Sequence, residues 1–225
     1  MNNKYVIIIA GKMRSGKNTF ADIFETICCC KGYTVKKDSF ASVLKDICST
    51  EFQGLIDYLN KFTDEVKANV PIFSESRFDT IKQSIDKVVD KIYTKKENWF
   101  EEKNVITRLI LQIVGTNLFR KYIDDDHWVK EFIKKVKNYN EKFVIVTDAR
   151  FPNEIDMVHK FVEDRRVISI NIERETGIKS THLSETALDK FLWFDYVIDN
   201  NSNLNTLVES VKTTIKDIEE QENSN

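Results

Sequence analysis

Lys4-Tyr5-Val6-Ile7-Ile8-Ile9-Ala10, followed at once by Gly11-Lys12-Met13-Arg14-Ser15-Gly16-Lys17-Asn18-Thr19, decides the fold of this chain. The β-branched apolar run fits a strand buried on both faces. After the glycine-bounded loop, Phe20, Ile23, Phe24 and Ile27 recur at the spacing of one helix face. Strand, loop and helix in this order make a phosphate cradle. Gly11 and Gly16 allow close backbone approach, successive N–H groups converge, and the helix adds the positive end of its dipole. Met13, Arg14 and Ser15 complete the loop, and Lys17 is placed to reach the outer phosphates. The pattern G-x-x-x-x-G-K is normally followed by a Ser or Thr that holds Mg²⁺. Here the position is Asn18, whose amide oxygen can hold a magnesium-bound water, with Thr19 as a neighbouring hydroxyl. The bland alternative is a glycine-containing turn between any strand and any helix.

Working outward, 225 residues with 41% hydrophobic and 31% charged content suit one globular domain with a helical elaboration. A net charge of −2 argues against a protein that coats nucleic acid, so nucleotides must be bound by local groups. No apolar run approaches the ~20 residues that span a membrane, and the N-terminal residues lack a signal-peptide pattern. Cysteines 28, 29, 30 and 48 do not have the paired spacing of a metal site. They read as reduced thiols, which points to a reducing, cytoplasmic setting.

Gly32 ends the first helix, Tyr33 to Lys37 reads as a second strand, and Asp38 or Ser39 caps a helix carrying Phe40, Val43, Leu44 and Ile47. Lys45 on that helix is a candidate ligand for an acceptor phosphate, or a solvated lysine. Residues 50 to 104 read as a charged insertion of two helices divided by Pro71, covering the acceptor site, forming a lobe beside it, or serving as a dimer surface. The helix after Asn104 is very apolar yet contains Arg108 and Gln112, with Arg120 beyond it. Arginines there suit a phosphate grip, Gln112 a base edge, and Trp128 a stacking surface. The alternative is an ordinary amphipathic helix with Trp128 in the core. Phe143 to Thr147 is the second strongly apolar run, and Asp148 at its carboxyl end stands where a magnesium-organising carboxylate belongs. Arg150 and Glu154 are expected to face the cleft above the sheet. Val167 to Ile172 reads as a fourth strand, and residues 176 to 186 as a loop able to bring Arg174 or Lys179 over the reacting phosphates. Tyr196 to Ile198 gives a last strand, Leu204 to Ile218 a final helix, and 219–225 a disordered tail.

Taken together, the loop 11–19, Ser39-Phe40-Ala41 with Leu44-Lys45, Leu111-Gln112 with Gly115-Thr116 and Trp128, Asp148-Ala149-Arg150-Phe151-Pro152-Asn153-Glu154, and His182-Leu183-Ser184-Glu185 resemble the deoxynucleoside monophosphate kinases of bacteriophages. These blocks span most of the chain outside 50–104. That family commonly carries an acidic or amide residue where Asn18 stands. The resemblance implies a single domain with a three-layer α/β phosphate-loop fold, about five parallel strands and a helical acceptor lobe. It implies transfer of the γ-phosphoryl of ATP, with Mg²⁺, to a (deoxy)nucleoside monophosphate. Lys17, Arg14, Asp148 and Arg150 would be the catalytic groups, with Asn18 and Asp148 holding the metal through water. Ser39, Phe40, Gly115, Thr116 and Glu185 would join Lys45, Arg108, Gln112, Arg120, Trp128, Arg150 and Glu154 on the acceptor side. Two other readings stay open. One is a kinase of a hydroxyl acceptor, such as dephospho-coenzyme A or a small metabolite, with Asp38 as base. The other is a nucleotide-binding protein without catalysis.

Overall fold

The structure is a computed structural model, and it describes residues 3–44, 83, 115–116, 119–120, 124–177 and 183–223. The insertion 50–104 apart from Gln83, the helix after Asn104, and Lys45, Arg108, Gln112, Lys179 and His182 lie outside the described residues. The chain groups into two compact units, one formed by Met1–Phe40 with Glu131–Asn225 and the other by Ala41–Lys130.

The first unit is built on five parallel strands: β1 (Tyr5–Ala10), β2 (Val35–Asp38), β3 (Phe143–Val146), β4 (Arg166–Glu173) and β5 (Tyr196–Asp199). They stand in the order β2-β3-β1-β4-β5, so the strand with the unbroken apolar run lies at the centre. Ile7 pairs with Ile145 on one side and Ile168 on the other, and all six residues of β1 are buried. A strand covered on both faces needs no polar alternation, which is why its sequence shows none.

The connections fix the layers. From β1 the chain runs through α1 (Lys17–Cys30) to β2 on one side, and from β3 through α2 (Pro152–Phe161) to β4 on the other. Right-handed crossovers in opposite directions put these helices on opposite faces of the sheet. Tyr5, Ile7 and Ile9 pack with Phe20 and Phe24 of α1 and with Leu207, Val211 and Ile215 of the last helix, α3 (Leu204–Asn223). Val6, Ile8, Val144 and Val146 are buried on the other side, where α2 packs against β4. The result is a three-layer α/β unit, and because every strand is parallel, the loops leaving β1, β3, β4 and β5 emerge along one edge.

The element ends have local causes. At the end of α1 the Gly32 N–H donates to Cys29 O and the Tyr33 N–H to Cys28 O, with Gly32 at φ 82°, the paired bonds of a Schellman cap. Tyr33 is spent on that cap, so β2 begins at Val35 rather than at Tyr33. Cys28 faces the core, and burial, then nearby Glu219, pushes its thiol up to about 12. The expected tail is corrected over 219–223: α3 continues to Asn223 because Glu219 takes Lys31 and the Tyr33 hydroxyl, while Glu222 takes Lys142 and the Asn3 amide. A four-residue helix, Leu183–Thr186, likewise interrupts the loop expected over 176–186. Among the described residues no helix is long and apolar enough to cross a membrane.

Candidate active site

The turn after β1 is held by three residues at positive φ: Gly11 (139°), Arg14 (64°) and Gly16 (102°). Inside it the Ser15 N–H donates to Lys12 O at 3.1 Å. Gly11 lies flush against β4, since a Cβ there would sit 2.4 Å from Ile172 O. At Gly16 a Cβ would meet the Asn200 side-chain nitrogen at 2.3 Å. Arg14 holds a left-handed backbone that costs a non-glycine residue roughly 1–2 kcal/mol, and its side chain is exposed.

Lys17, the first residue of α1, is buried apart from 9% of its surface, and its Nζ donates to Gly11 O and Lys12 O, each at 2.7 Å. A buried ammonium arched over the loop thus donates to two neutral carbonyls, and a charged phosphate oxygen is a stronger acceptor than either. Gly16 supplies no side-chain cap, so the first-turn amides of α1 have no side-chain acceptor there. The Ser15 hydroxyl is fully buried and lacks a hydrogen-bond partner among the described residues. Donors without acceptors and glycines pressed to contact are the features that a phosphate chain fits. Asn18 and Thr19 lie exposed on the first turn.

Beside the loop, the Lys12 ammonium donates to Glu185 O at 3.0 Å and pairs with Asp189. The Arg150 guanidinium pairs with Glu185 at 2.8 Å, and the Glu185 side chain is only 5% exposed. Lys12, Arg150, Arg174, Asp189, Phe191 and Leu192 are among the residues around a cavity of about 500 Å³ at the carboxyl edge of the sheet. Its lining combines cations, carboxylates and apolar side chains.

Glu154 does not face this cleft, and that expectation is corrected. Its carboxylate is buried and accepts the Arg150 N–H at 2.7 Å and the Phe151 N–H at 3.0 Å, closing the start of α2. Replacing it with alanine strands two amides, and Glu154→Ala is expected to lower stability by about 2–3 kcal/mol. Urea unfolding reads this directly, and a loss below about 0.5 kcal/mol, the size of an ordinary surface substitution, would show that the cap carries little.

Asp148 leaves β3 at the carboxyl edge, and its Oδ1 accepts the Phe40 N–H at 2.9 Å. The Phe40 ring is in the core, edge-on to Phe132 at 5.0 Å, so this residue offers the site its backbone and not its ring. Asp38 is engaged by the Tyr139 hydroxyl at 2.6 Å, the Ser39 N–H at 2.8 Å and Lys135 at 3.4 Å. Among the described residues no group of three His, Cys, Asp or Glu side chains could hold a metal by itself.

In the second unit, the Trp128 indole N–H donates to Gly115 O at 3.0 Å, and its ring packs against Phe119 and His127 at 4.9 and 4.6 Å. With 4% of its surface exposed, Trp128 is a core residue, which replaces the stacking role read from its position. Arg120 is buried and pairs with Asp125 at 3.0 Å; Thr116 is half-buried.

Three contributors escaped the sequence reading. Lys12 occupies a variable position of the loop pattern, and Asp189 falls in a stretch without period. Asn200 lies between the last strand and the final helix, yet it is buried and its Nδ2 donates to Ser15 O at 2.7 Å.

Comparison with known proteins gives a family match. A model of the family described as "Deoxynucleotide monophosphate kinase" matches residues 44–211. The "Deoxynucleotide monophosphate kinase" of Enterobacteria phage T4 is 28% identical over an alignment covering 94% of this chain and 98% of that protein. The "Deoxynucleoside-5'-monophosphate kinase" of Escherichia phage T5 is 28% identical, over 43% of this chain and 40% of that protein. Among solved structures, a gluconokinase from Sinorhizobium meliloti 1021 aligns over 96% of both chains with 10% identity and a TM-score of 0.41.

Proposed function

This chain belongs to the deoxynucleotide monophosphate kinase family, and from that premise we propose that it transfers the γ-phosphoryl group of ATP to the phosphate of a deoxynucleoside monophosphate. The observation that carries the reading is the loop itself. Its glycines are in contact with β4 and Asn200, and its buried lysine ammonium spans the loop to the Gly11 and Lys12 carbonyls.

On this reading the Lys17 ammonium moves from Gly11 O and Lys12 O to the outer phosphate oxygens, a change from neutral to charged acceptors. The amides of the loop and of the first turn of α1 bind the rest of the phosphate chain. Arg14 and Arg150 neutralise charge on the transferred group, and Arg150 is aimed by Glu185 and anchored through its own amide to Glu154. Asn18 and Asp148 would hold Mg²⁺ through water, and the ion would supply further charge neutralisation. Ser39, Gly115, Thr116 and Arg120 are assigned to the acceptor side. The acceptor oxygen is already anionic, so positioning and charge compensation suffice and no general base is required.

The test is to incubate the chain with ATP, Mg²⁺ and each common ribo- and deoxynucleoside monophosphate separately, and to measure ADP and the acceptor diphosphate. Formation of a deoxynucleoside diphosphate is expected; ATP binding without transfer to any monophosphate would overturn the reading. A hydroxyl-acceptor kinase would need Asp38 as base, whereas its carboxylate is engaged by Tyr139, Ser39 and Lys135. Asp38→Asn is therefore expected to lower kcat of the folded protein by less than about tenfold, where loss of a true general base costs about 10²- to 10⁴-fold.

A further inference from the structure

We propose that Asn200 is a positioning residue of the phosphate loop: by clamping the Ser15 carbonyl from the end of β5, it turns the Gly16 N–H toward the incoming phosphate. The inference rests on the kinase reading above for its consequence in turnover, but its effect on nucleotide binding stands separately.

The geometry is specific. The Asn200 Nδ2 donates to Ser15 O at 2.7 Å in a buried bond between residues 185 apart in sequence. The Asn200 backbone N–H donates to Glu173 O at 2.8 Å, fixing its main chain to the end of β4. The neighbouring residues lock the same turn: Asp199 accepts from both the backbone and the side-chain nitrogen of Asn201, and Asn201 Oδ1 accepts the Glu175 N–H at 2.8 Å. The amide of Asn200 therefore has little freedom, and it rests against Gly16 so closely that any side chain there would collide with it.

A trans peptide holds its C=O and N–H antiparallel. The peptide joining Ser15 to Gly16 is trans, so a donor bound to Ser15 O aims the Gly16 N–H to the opposite side, away from Asn200. Only a donor can do this. Carbonyl oxygen against carbonyl oxygen is repulsive, which is why an amide rather than a carboxylate suits position 200, although the preceding residue is Asp199. The loop is also the place where orientation matters most, because an amide aimed at charge before the ligand arrives needs no reorganisation on binding.

Asn200→Ala in the full chain is expected to weaken equilibrium ATP binding by about 10- to 100-fold, the weight of one hydrogen bond to a charged group. The KM for the acceptor, at saturating ATP, is expected to stay within about threefold. Unchanged ATP affinity, or equal losses for ATP and acceptor, would overturn the proposal, the second outcome being what general damage to the fold produces. A measurement on the unmodified chain removes dependence on the variant's folding. In ¹⁵N–¹H spectra the Gly16 amide should move downfield as ATP is added, and an unmoved Gly16 resonance would overturn the assignment. Absence of transfer to any monophosphate by the unmodified chain would count against the kinase reading alone, and ATP affinity would remain the readout for Asn200.

Discussion

Lys17→Ala is expected to lower turnover by on the order of 10²- to 10³-fold, the loss seen when one preorganised donor to developing charge is removed. The structure gives the reason. Lys17 is the loop's buried cation, and the first turn of α1 fixes its backbone while its ammonium spans the loop to Gly11 O and Lys12 O. A side chain so held reaches its phosphate partners by a short change of acceptor, with little reordering of the chain. Arg14 is exposed and Lys12 is occupied by Glu185 and Asp189, so neither stands ready to replace it. The folding cost should be small by comparison, because Gly11 is half-buried and Lys12 exposed, so water can take over the carbonyls released. The check is kcat and KM for ATP beside thermal unfolding. Near-normal turnover in Lys17→Ala would refute the mechanism, whereas lost turnover with an unchanged melting temperature supports it.

Gly11→Ala is expected to be the most destabilising single methyl group that could be added to the loop. Two penalties act together. At φ 139° an alanine backbone is strained by about 1–3 kcal/mol, and its Cβ would stand 2.4 Å from Ile172 O, a backbone atom in a central strand that cannot move aside cheaply. Adding roughly 1–3 kcal/mol for the overlap gives a total near 4 kcal/mol. For a chain of this size that corresponds to a fall in melting temperature of about 10 °C. Gly32→Ala is the control: it also has positive φ, 82°, but nothing lies within 4 Å of its Cβ position, so about 1 kcal/mol is expected. Equal melting temperatures for the two variants would mean that the loop is not pressed against β4.

What the sequence disclosed, and what it withheld, follows from the range of the interactions. β1, the loop and α1 were legible because their signals are local: a six-residue strand buried on both faces must be apolar throughout, and the glycines stand where positive φ is required. β3 and β4 were legible for the same reason, and the parallel sheet, implied by the family resemblance, agrees with helices lying between strands. The start of β2 was displaced because the cap on α1 reaches back through Tyr33, and the charged end of α3 was misread as a tail because its glutamates find partners about 190 or more residues earlier in Lys31, Tyr33 and Asn3. In the candidate site the chemical types were visible but not their partners. Glu154 looked like a ligand and is a helix cap; Trp128 looked like a stacking surface and packs between Phe119 and His127. Asn200 carried no local signal, since an amide in a polar turn is ordinary until the chain folds it beneath Ser15.

The central claim is that the loop after β1 delivers the terminal phosphoryl group of ATP to a phosphate acceptor, and its most direct test follows that group itself. ATP labelled with ³²P at the γ position should be supplied with Mg²⁺ and deoxynucleoside monophosphates, and the products separated. The account predicts label in the β position of a deoxynucleoside diphosphate, formed in equal amount with unlabelled ADP. Label released only as inorganic phosphate, or retained entirely in ATP, would contradict it.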